Sequence, residues 1–261
     1  MIPSLLIVVP TLNSFALLPR LVKSLQDQSW SNWRLLFIDG PSSPEHRNWL
    51  KNCCELENRC SFYPQSPAMP GIFGAMNLGF AAAAPSDWLL FWGSDDWAAS
   101  PTVLEEAMET LLLTGMGTGF PDLLVCSGRY ADPSNGALGS LTKFSLGGSY
   151  RRSLLLGSTP PHQATLIGPV ARSRLARYAE GFRLSADLDY FLQLSSFADL
   201  RVQVLDLELV HMCSGGISAQ QTRRRLKEVR YAYQRAFGWL WCFPFLVRYV
   251  RKFASLWHGS Y

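Results

Sequence analysis

The chain has 261 residues, of which 48% are hydrophobic and 17% are charged, and its formal net charge is +4. This composition is typical of one large or two small globular domains and excludes an intrinsically disordered chain. No apolar segment reaches the ~20 uninterrupted residues that a membrane-spanning helix needs. The short apolar run at the N-terminus has no basic flank, which favours a strand over a signal peptide. We therefore expect a soluble or surface-bound protein. The six cysteines form no CxxC pair and indicate reduced thiols in a cytoplasmic protein, with a disulfide as the alternative.

Short apolar runs alternate with helical segments through the first half of the chain. Residues 4–9 and 33–38 are nearly all apolar and are bounded by turn residues, as buried parallel strands are. Between them, residues 15–27 carry leucine and valine at helical spacing. The series continues with a strand at 60–63, a helix at 71–83, a strand at 87–92 and a helix at 102–114. This alternation predicts an α/β fold with a mostly parallel central sheet flanked by helices.

The second half is less regular. We predict strands at 122–130, 163–168 and 202–209, a helix at 183–197, and a hairpin or mobile loop at 133–149. The expected organisation is one catalytic domain, residues 1–218, followed by a C-terminal helical appendage, residues 219–261.

The appendage is basic and rich in aromatic residues. A helix there has Arg248, Arg251 and Lys252 on one face and apolar side chains on the other, which is typical of a helix in a membrane interface. The alternative is a helix that packs on the protein's own core with a solvated basic face. We predict peripheral membrane contact. The apolar face consists of Phe245, Leu246, Tyr249, Val250, Phe253, Leu256 and Trp257.

Polar side chains follow three of the predicted strands. Thr11 and Asn13 come after the first, Asp39 after the second, and Asp95 with Asp96 after the fourth. Ligands of open α/β sheets bind beyond the carboxyl ends of the strands. Adjacent carboxylates repel each other unless a cation or ligand accepts both. Carboxylate oxygens favour Mg²⁺ or Mn²⁺, which would be held together with the phosphates of a substrate. The alternative is a polar turn that caps the next helix. No GxGxxG and no GxxxxGK[ST] motif is present, so dinucleotide and P-loop sites are excluded.

Several segments together resemble family 2 glycosyltransferases with the Rossmann-like GT-A fold, in order and spacing, between about residues 4 and 218. The likeness is especially to bacterial enzymes that build surface polysaccharides. The segments are VVPTLNSFALLPRLVKSLQDQSW, LLFIDGPSS, GIFGAMNLGFAAAAPSDWLLFWGSDDW, HQATLIG and SADLDYFLQL.

The resemblance implies a nucleotide-sugar pocket and a metal site at the place of the family's DXD motif. Asp39 would accept a hydrogen bond from the nucleotide base, or cap a helix. Asp95 would contact the ribose or assist the metal, and Asp96 would bind the cation that bridges the diphosphate. His211 is a further candidate near the diphosphate or the metal. The residues implied at the donor are Pro10, Thr11, Asn13, Asp39, Asn77, Asp95 and His162.

Some of these residues have plain structural alternatives. Asn13 would otherwise be a turn residue, Asn77 a solvated helix position, and His162 a partly buried histidine with satisfied hydrogen bonds.

The resemblance also implies a general base. Asp187 matches the carboxylate that activates the acceptor hydroxyl, and Asp189 is the runner-up because it lies in the same helical turn but points elsewhere. A third alternative is that either residue caps the helix that follows.

The chain departs from the family pattern in the segment before the fourth strand. Met69, Pro70 and Gly71 stand where an acidic residue usually precedes the motif, and Phe73, Gly74 and Leu78 replace its Tyr, Asp and Lys. The run after Asp39 also lacks the family's more typical Gly-Ser-Thr-Asp-Gly-Thr pattern. These changes predict a substrate that differs from that of close relatives.

The expected function is a metal-dependent, inverting glycosyltransferase that uses Mn²⁺ or Mg²⁺. It would move a sugar from a nucleotide donor, a UDP-sugar first, to a hydroxyl of a glycan or lipid-linked acceptor, at the inner face of the cell membrane and with no nucleic-acid partner. One alternative is a sugar-nucleotide nucleotidyltransferase, whose Gly-rich phosphate loop is missing after the first strand. Another is an inactive nucleotide-sugar-binding module.

Overall fold

The first half of the chain forms the parallel part of one nine-stranded sheet. The computed structural model describes residues 3–132, 136–213 and 221–258, except for the side chains of 252–258. The first four strands run in one direction, in the order β3-β2-β1-β4. They are β1 (Ser4–Thr11), β2 (Trp33–Asp39), β3 (Cys60–Pro64) and β4 (Asp87–Phe91). The helices beside them are α1 (Leu18–Gln26), α2 (Pro44–Leu56), α3 (Ile72–Ala82) and α4 (Val103–Gly117).

The second half extends the sheet with shorter and mixed strands. The order continues β4-β8-β6-β9-β5, and β7 pairs with β6. Strand β8 lies antiparallel between β4 and β6, whereas β6 and β9 are parallel. These strands are β5 (Trp97–Ala98), β6 (Leu123–Ala131), β7 (Leu138–Thr142), β8 (Thr165–Ile167) and β9 (Val202–Cys213). The helices are α5 (Tyr150–Leu155), α6 (Pro169–Arg174), α7 (Ala186–Leu194), α8 (Thr222–Phe237) and α9 (Cys242–His258).

The sheet has a hydrophobic layer on each face. Alternate residues of β1 belong to different clusters, Leu6 and Val8 to one and Leu5 and Ile7 to the other. Both faces of the strand are therefore buried, which explains its unbroken apolar sequence. Gly79 lets α3 lie against the sheet, because a Cβ there would come within 2.5 Å of Val8 Cγ1. The prediction of an α/β fold with a mostly parallel sheet is confirmed.

Helix α8 packs on the domain through the same core. Its residues Val229, Ala232, Tyr233 and Phe237 lie in the cluster that also contains the buried face of α7. The predicted boundary at residue 219 falls between 214 and 220, outside the described residues. The division at that point stays a prediction.

The apolar face that the sequence predicts for α9 is partly buried and partly exposed. Phe245 and Tyr249 pack against the core, whereas Leu246 and Val250 are exposed. The side chains of Phe253, Leu256 and Trp257 are outside the described part of the chain.

The basic side of α9 contacts the protein through Arg248, which is half-buried, and Arg251, which is exposed. Arg248 donates to Thr159 Oγ1 over 2.7 Å, and Arg251 donates to the carbonyl of Leu156 over 2.9 Å. Gly157 allows this approach, because a Cβ there would lie 2.7 Å from the Cα of Arg248. Among the described residues, no helix is both long enough and apolar enough to span a bilayer.

Most of the predicted helices and strands are present. The structure also contains four short or polar elements that the hydrophobic pattern does not predict: α2, β5, α5 and α6. The predicted final strand at 202–209 continues to Cys213 and so includes His211. In the predicted hairpin or loop at 133–149, strand β7 forms a hairpin with β6, while residues 133–135 lie outside the described residues.

Candidate active site

The carboxylate of Asp39 lies at the shared edge where β1 and β2 end. Thr11 and Asp39 are opposite each other in the parallel register, and both side chains are buried. Asp39 accepts hydrogen bonds from Thr11 Oγ1 (3.3 Å), Ser42 Oγ (2.6 Å) and Arg47 Nε (3.3 Å). The negative charge is thus fixed at the strand end and partly balanced by Arg47.

His46 is a neighbour of Asp39 that the sequence analysis missed. Its Nε2 lies 3.2 Å from Asp39 Oδ1, and its side chain is completely buried. Burial lowers the pKa of His46 and so favours the neutral ring, although the Asp39 charge acts in the opposite direction. Ser43 and Pro44 carry the overlooked signal, because they start α2 and place His46 in its first turn.

Asn13 ties the end of β1 to the start of α2. Its backbone is left-handed, with φ at +51°, and its N–H donates to Ser42 Oγ over 3.0 Å. Its side-chain oxygen accepts from the N–H of Ser43 over 2.8 Å. Pro10 lies one residue from the end of β1, opposite Ile38. Asn13 therefore acts as a turn residue, which is the structural alternative to donor binding, and it shapes the edge beside Asp39.

Asp95 and Asp96 lie just after β4, around Gly93. Asp96 is 3% exposed and accepts a 2.6 Å hydrogen bond from the N–H of Gly93. A Cβ on Gly93 would lie 2.7 Å from Asp95 Oδ1 and 3.3 Å from Asp96 Oδ2, so both carboxylates surround this glycine. Burial raises the pKa of both acids, and the Asp95 charge raises that of Asp96 further. No protein cation within the described chain forms an ion pair with either carboxylate.

His211 lies in β9 opposite Trp97, the residue that follows Asp96. Its Nε2 is 2.8 Å from Glu208 Oε1, and its ring packs edge-on against the Trp97 ring. His211 is predicted to bind a metal, but its Nε2 is already paired with Glu208. Across the described residues, no cluster of three or more His, Cys, Asp or Glu is arranged to hold a metal ion.

Asn77 and His162 are joined through Tyr178. Both amide atoms of Asn77 bind the Tyr178 backbone: Nδ2 donates to its carbonyl (3.1 Å) and Oδ1 accepts from its N–H (2.8 Å). The Tyr178 hydroxyl lies 2.7 Å from His162 Nε2, and the His162 ring stacks on Phe91. Burial lowers the pKa of His162, opposed by the charge of Asp187. Asn77 therefore holds the segment that orients His162.

A cavity of about 460 Å³ lies beside these groups. Strand β6, the segment before β8, and helices α7, α8 and α9 all contribute to its wall. Burial raises the pKa of Tyr130 in this wall, Arg225 lowers it, and Asp96 and Asp187 raise it. Polar groups in the wall include Tyr130, Lys143, His162, Asp187, Arg225 and Arg248.

The two acidic residues of α7 have different surroundings. Asp187 lines the cavity and is half-buried. Asp189 is 1% exposed, forms an ion pair with Arg235 of α8, and accepts from Gln193. Asp187 is therefore the carboxylate available to a molecule in the cavity, and Asp189 is a packing contact between two helices.

The start of α7 is held by a carboxylate that the sequence analysis did not identify. Glu228 of α8 accepts hydrogen bonds of 2.8–3.1 Å from the consecutive backbone N–H groups of Arg183, Leu184 and Ser185. Its other partner is Arg224 Nε at 3.0 Å. A Glu on a basic helix gives no sequence signal for such a distant contact.

Residues 6–136 match the family described as "Glycosyl transferase family 2". A "PGL/p-HBAD biosynthesis glycosyltransferase" of Mycobacterium bovis is 27% identical over 196 residues, which are 74% of this chain and 70% of that protein. A "GalNAc(5)-diNAcBac-PP-undecaprenol beta-1,3-glucosyltransferase" of Campylobacter jejuni is 26% identical over 110 residues, 42% of this chain and 34% of that protein.

Solved structures share the fold at lower identity. Residues 1–349 of S. aureus TarS in complex with UDP superpose with a TM-score of 0.65 at 16% identity, over 90% of this chain and 66% of that chain. A mannosyltransferase from Pyrobaculum calidifontis in complex with GDP-Man and Mn²⁺ gives a TM-score of 0.65 at 11% identity, over 90% and 64%. The chain thus spans slightly less than two thirds of the length of these solved chains.

Proposed function

Because the chain belongs to glycosyl transferase family 2 and has the GT-A fold, we propose that it transfers a sugar from a nucleotide-sugar donor to an acceptor hydroxyl in polysaccharide biosynthesis. The observation that carries this proposal is the contact between the cavity and the end of β4: His162 lines the cavity together with Asp187, and its ring stacks on Phe91, the last residue of the strand that Asp95 and Asp96 follow. A donor at the strand ends and an acceptor in the cavity would meet there.

The nucleotide belongs at the edge formed by β1 and β2. Asp39 would accept a hydrogen bond from the base, which would replace one of its longer 3.3 Å contacts. Pro10, Thr11 and Asn13 would shape the wall. A UDP-sugar is the first candidate, since TarS is solved with UDP and with UDP-GlcNAc, although the Pyrobaculum enzyme carries GDP-Man.

The pair after β4 fits a divalent cation. Two adjacent carboxylates, Asp96 buried and Asp95 half-buried, have no counter-charge among the described residues and so favour Mg²⁺ or Mn²⁺, which prefer oxygen ligands. Asp96 would hold the ion and Asp95 would face the ribose, and further ligands would come from donor phosphates and water. Such an ion offsets the charge that develops on a diphosphate leaving group.

Asp187 is the proposed general base. Its carboxylate would take the proton of the acceptor hydroxyl as that oxygen bonds to the anomeric carbon and the bond to the nucleoside diphosphate breaks. Attack opposite the leaving group inverts the configuration. Base catalysis of this kind contributes about 10²–10⁴ in rate. His162, held by Tyr178, would line the sugar side of the same space.

The acceptor proposed here is a glycan or a lipid-linked glycan at the inner face of the cell membrane. The support lies in α9, where Phe243, Leu246 and Val250 are 53%, 60% and 66% exposed at a helical spacing that puts them on one face. Trp239, just before α9, is 83% exposed. Apolar and aromatic side chains in this arrangement suit the interfacial region of a bilayer.

Donor turnover tests the proposal. The full-length chain is incubated with UDP-, GDP- and dTDP-sugars with and without Mn²⁺, and release of the nucleoside diphosphate is measured. We expect one donor to be hydrolysed slowly without acceptor, with a loss of at least about 100-fold in Asp96→Ala. Asp27→Ala, an exposed carboxylate that pairs with Lys23, is the matched control. Pyrophosphate release from a nucleoside triphosphate and a sugar phosphate would identify a nucleotidyltransferase instead, and binding without turnover would identify an inactive module.

A further inference from the structure

Two arginines from the C-terminal helices enter the wall of the cavity that Asp187 lines. Arg225 comes from α8 and Arg248 from α9, and Lys143, which follows β7, lies in the same wall. Two consecutive C-terminal helices and the distant segment after β7 therefore deliver positive charge to one cavity. The hydroxyl of Thr159 is also in the wall, where it accepts the hydrogen bond from Arg248.

Among the described residues, some arginines of α8 and α9 have an acidic partner and others do not. Arg224 is paired with Glu228 and Arg235 with Asp189. In the described part of the chain, no carboxylate lies within 4.0 Å of a guanidinium nitrogen of Arg225 or Arg248, although both residues are half-buried. A half-buried guanidinium without a counter-charge favours an anionic ligand, and its planar donors suit phosphate in particular.

We propose that Arg225 and Arg248 bind a phosphate or diphosphate group of the acceptor, so that the acceptor is a phosphate-bearing glycan or lipid. This inference rests on the proposed function, in which Asp187 of the same cavity wall takes the proton of the acceptor hydroxyl. The donor diphosphate belongs instead beside Asp96, after β4. Helix α9 supports the assignment, since it turns Arg248 into the cavity while Leu246 and Val250 point away from the protein. A lipid-anchored acceptor would then bring its phosphate to Arg248.

Binding of decyl diphosphate by the full-length chain tests the site. The protein is first saturated with UDP and Mn²⁺ to fill the donor position, and the probe is titrated below its micelle concentration by calorimetry. We expect decyl diphosphate to bind at least about tenfold more tightly than neutral decyl maltoside, and Arg225→Ala with Arg248→Ala to remove this preference. Arg248→Lys keeps the charge and part of the affinity, which separates lost binding from lost packing. Arg223→Ala on the exposed side of α8 is the matched control and leaves the affinity unchanged.

Three results would overturn the assignment. Equal affinity in the double variant, with a melting temperature like that of the wild type, would remove the arginines from the site. Probe binding that occurs without UDP but is lost in the UDP-saturated protein would move the probe to the donor position. If the double variant loses sedimentation with phosphatidylglycerol vesicles to the same extent as it loses probe binding, bilayer headgroups are the ligand. Donor hydrolysis is measured in parallel: normal hydrolysis without arginine-dependent probe binding rejects only this inference, and probe binding without hydrolysis rejects only the transferase.

Discussion

Glu228 accepts a hydrogen bond from the backbone N–H of Ser185 over 3.1 Å, and so joins α8 to the residue that precedes the helix of Asp187. The neighbouring N–H groups of Arg183 and Leu184 point to the same carboxylate. The C-terminal part of the chain thus contributes to the site by orienting α7, in addition to lining the cavity. Three consecutive backbone donors on one carboxylate fix both the position and the direction of a helix start.

We predict that Glu228→Ala lowers kcat by about 10- to 100-fold while the KM for the donor changes little, because a small displacement of a catalytic group is enough for such a loss. Glu228→Gln keeps oxygen acceptors and is expected to recover part of the rate. Arg224→Ala, which removes a partner of Glu228 but no backbone contact, is the control. A proportional fall of kcat and thermal stability in all three variants would contradict a positioning role.

Asp187 and Asp189 are predicted to respond oppositely to the same change. Asp187→Asn should lower transfer by about 10²–10⁴ because it removes the proposed base, with the melting temperature unchanged. Asp189→Asn should retain most activity but lose about 1–3 kcal/mol of unfolding free energy, since Arg235 loses its charged partner. Initial rates and denaturant unfolding of both variants check this pair. A stable but inactive Asp189→Asn would reassign the base.

The sequence predicts the parallel strands and their polar ends because hydrophobic runs and strand-end chemistry are local properties. Asp39, Asp95 and Asp96 therefore stand at strand ends, as expected from their positions. The partner of each residue depends on tertiary packing: Asn77 binds the backbone of Tyr178, and His211 binds Glu208. Helix α2 escapes recognition because its exposed face is polar, although Ser43 and Pro44 mark its start.

Gly93 is predicted to be needed for the arrangement of the two carboxylates after β4. Gly93→Ala would push a methyl group to 2.7 Å from Asp95 Oδ1 and 3.3 Å from Asp96 Oδ2, so the side chains must move. We expect the Mn²⁺ concentration for half-maximal donor hydrolysis to rise by about tenfold, which is ~1.4 kcal/mol. Gly117→Ala, where an added methyl group meets nothing within 4 Å, is the matched control. An unchanged metal requirement would argue against a cation between these carboxylates.

His46 is predicted to make the protein less stable in mild acid. Its pKa is lowered in the folded state by burial, so the unfolded chain takes up the proton more readily. The stabilising effect of the neutral ring is therefore complete above the unfolded pKa of about 6.5 and is lost as the pH falls below it. The melting temperature should drop less between pH 7.5 and 5.5 in His46→Gln than in the wild type. Comparing the two chains removes the contribution of Asp95 and Asp96, which titrate in both; identical drops would show that His46 is not responsible.

The exposed face of α9 is predicted to carry membrane binding. Phe243, Leu246 and Val250 lie on that face, and replacing all three by Ser removes apolar area that a bilayer would bury. At roughly 1 kcal/mol for each partly inserted side chain, binding to phosphatidylglycerol-containing vesicles should weaken by about tenfold or more. Truncating the helix is a poorer test, because it also removes the contact of Arg248 with Thr159.

A matched triple variant separates this face from general surface hydrophobicity. Leu56, Leu113 and Met116 are 88%, 73% and 85% exposed and lie outside α9. Replacing them by Ser removes a comparable set of exposed apolar side chains, so vesicle sedimentation should remain at the wild-type level. Equal losses in the two triple variants would mean that the protein adheres to vesicles without using α9. Full retention of sedimentation in the α9 variant, with donor hydrolysis intact, would place any membrane contact elsewhere on the chain.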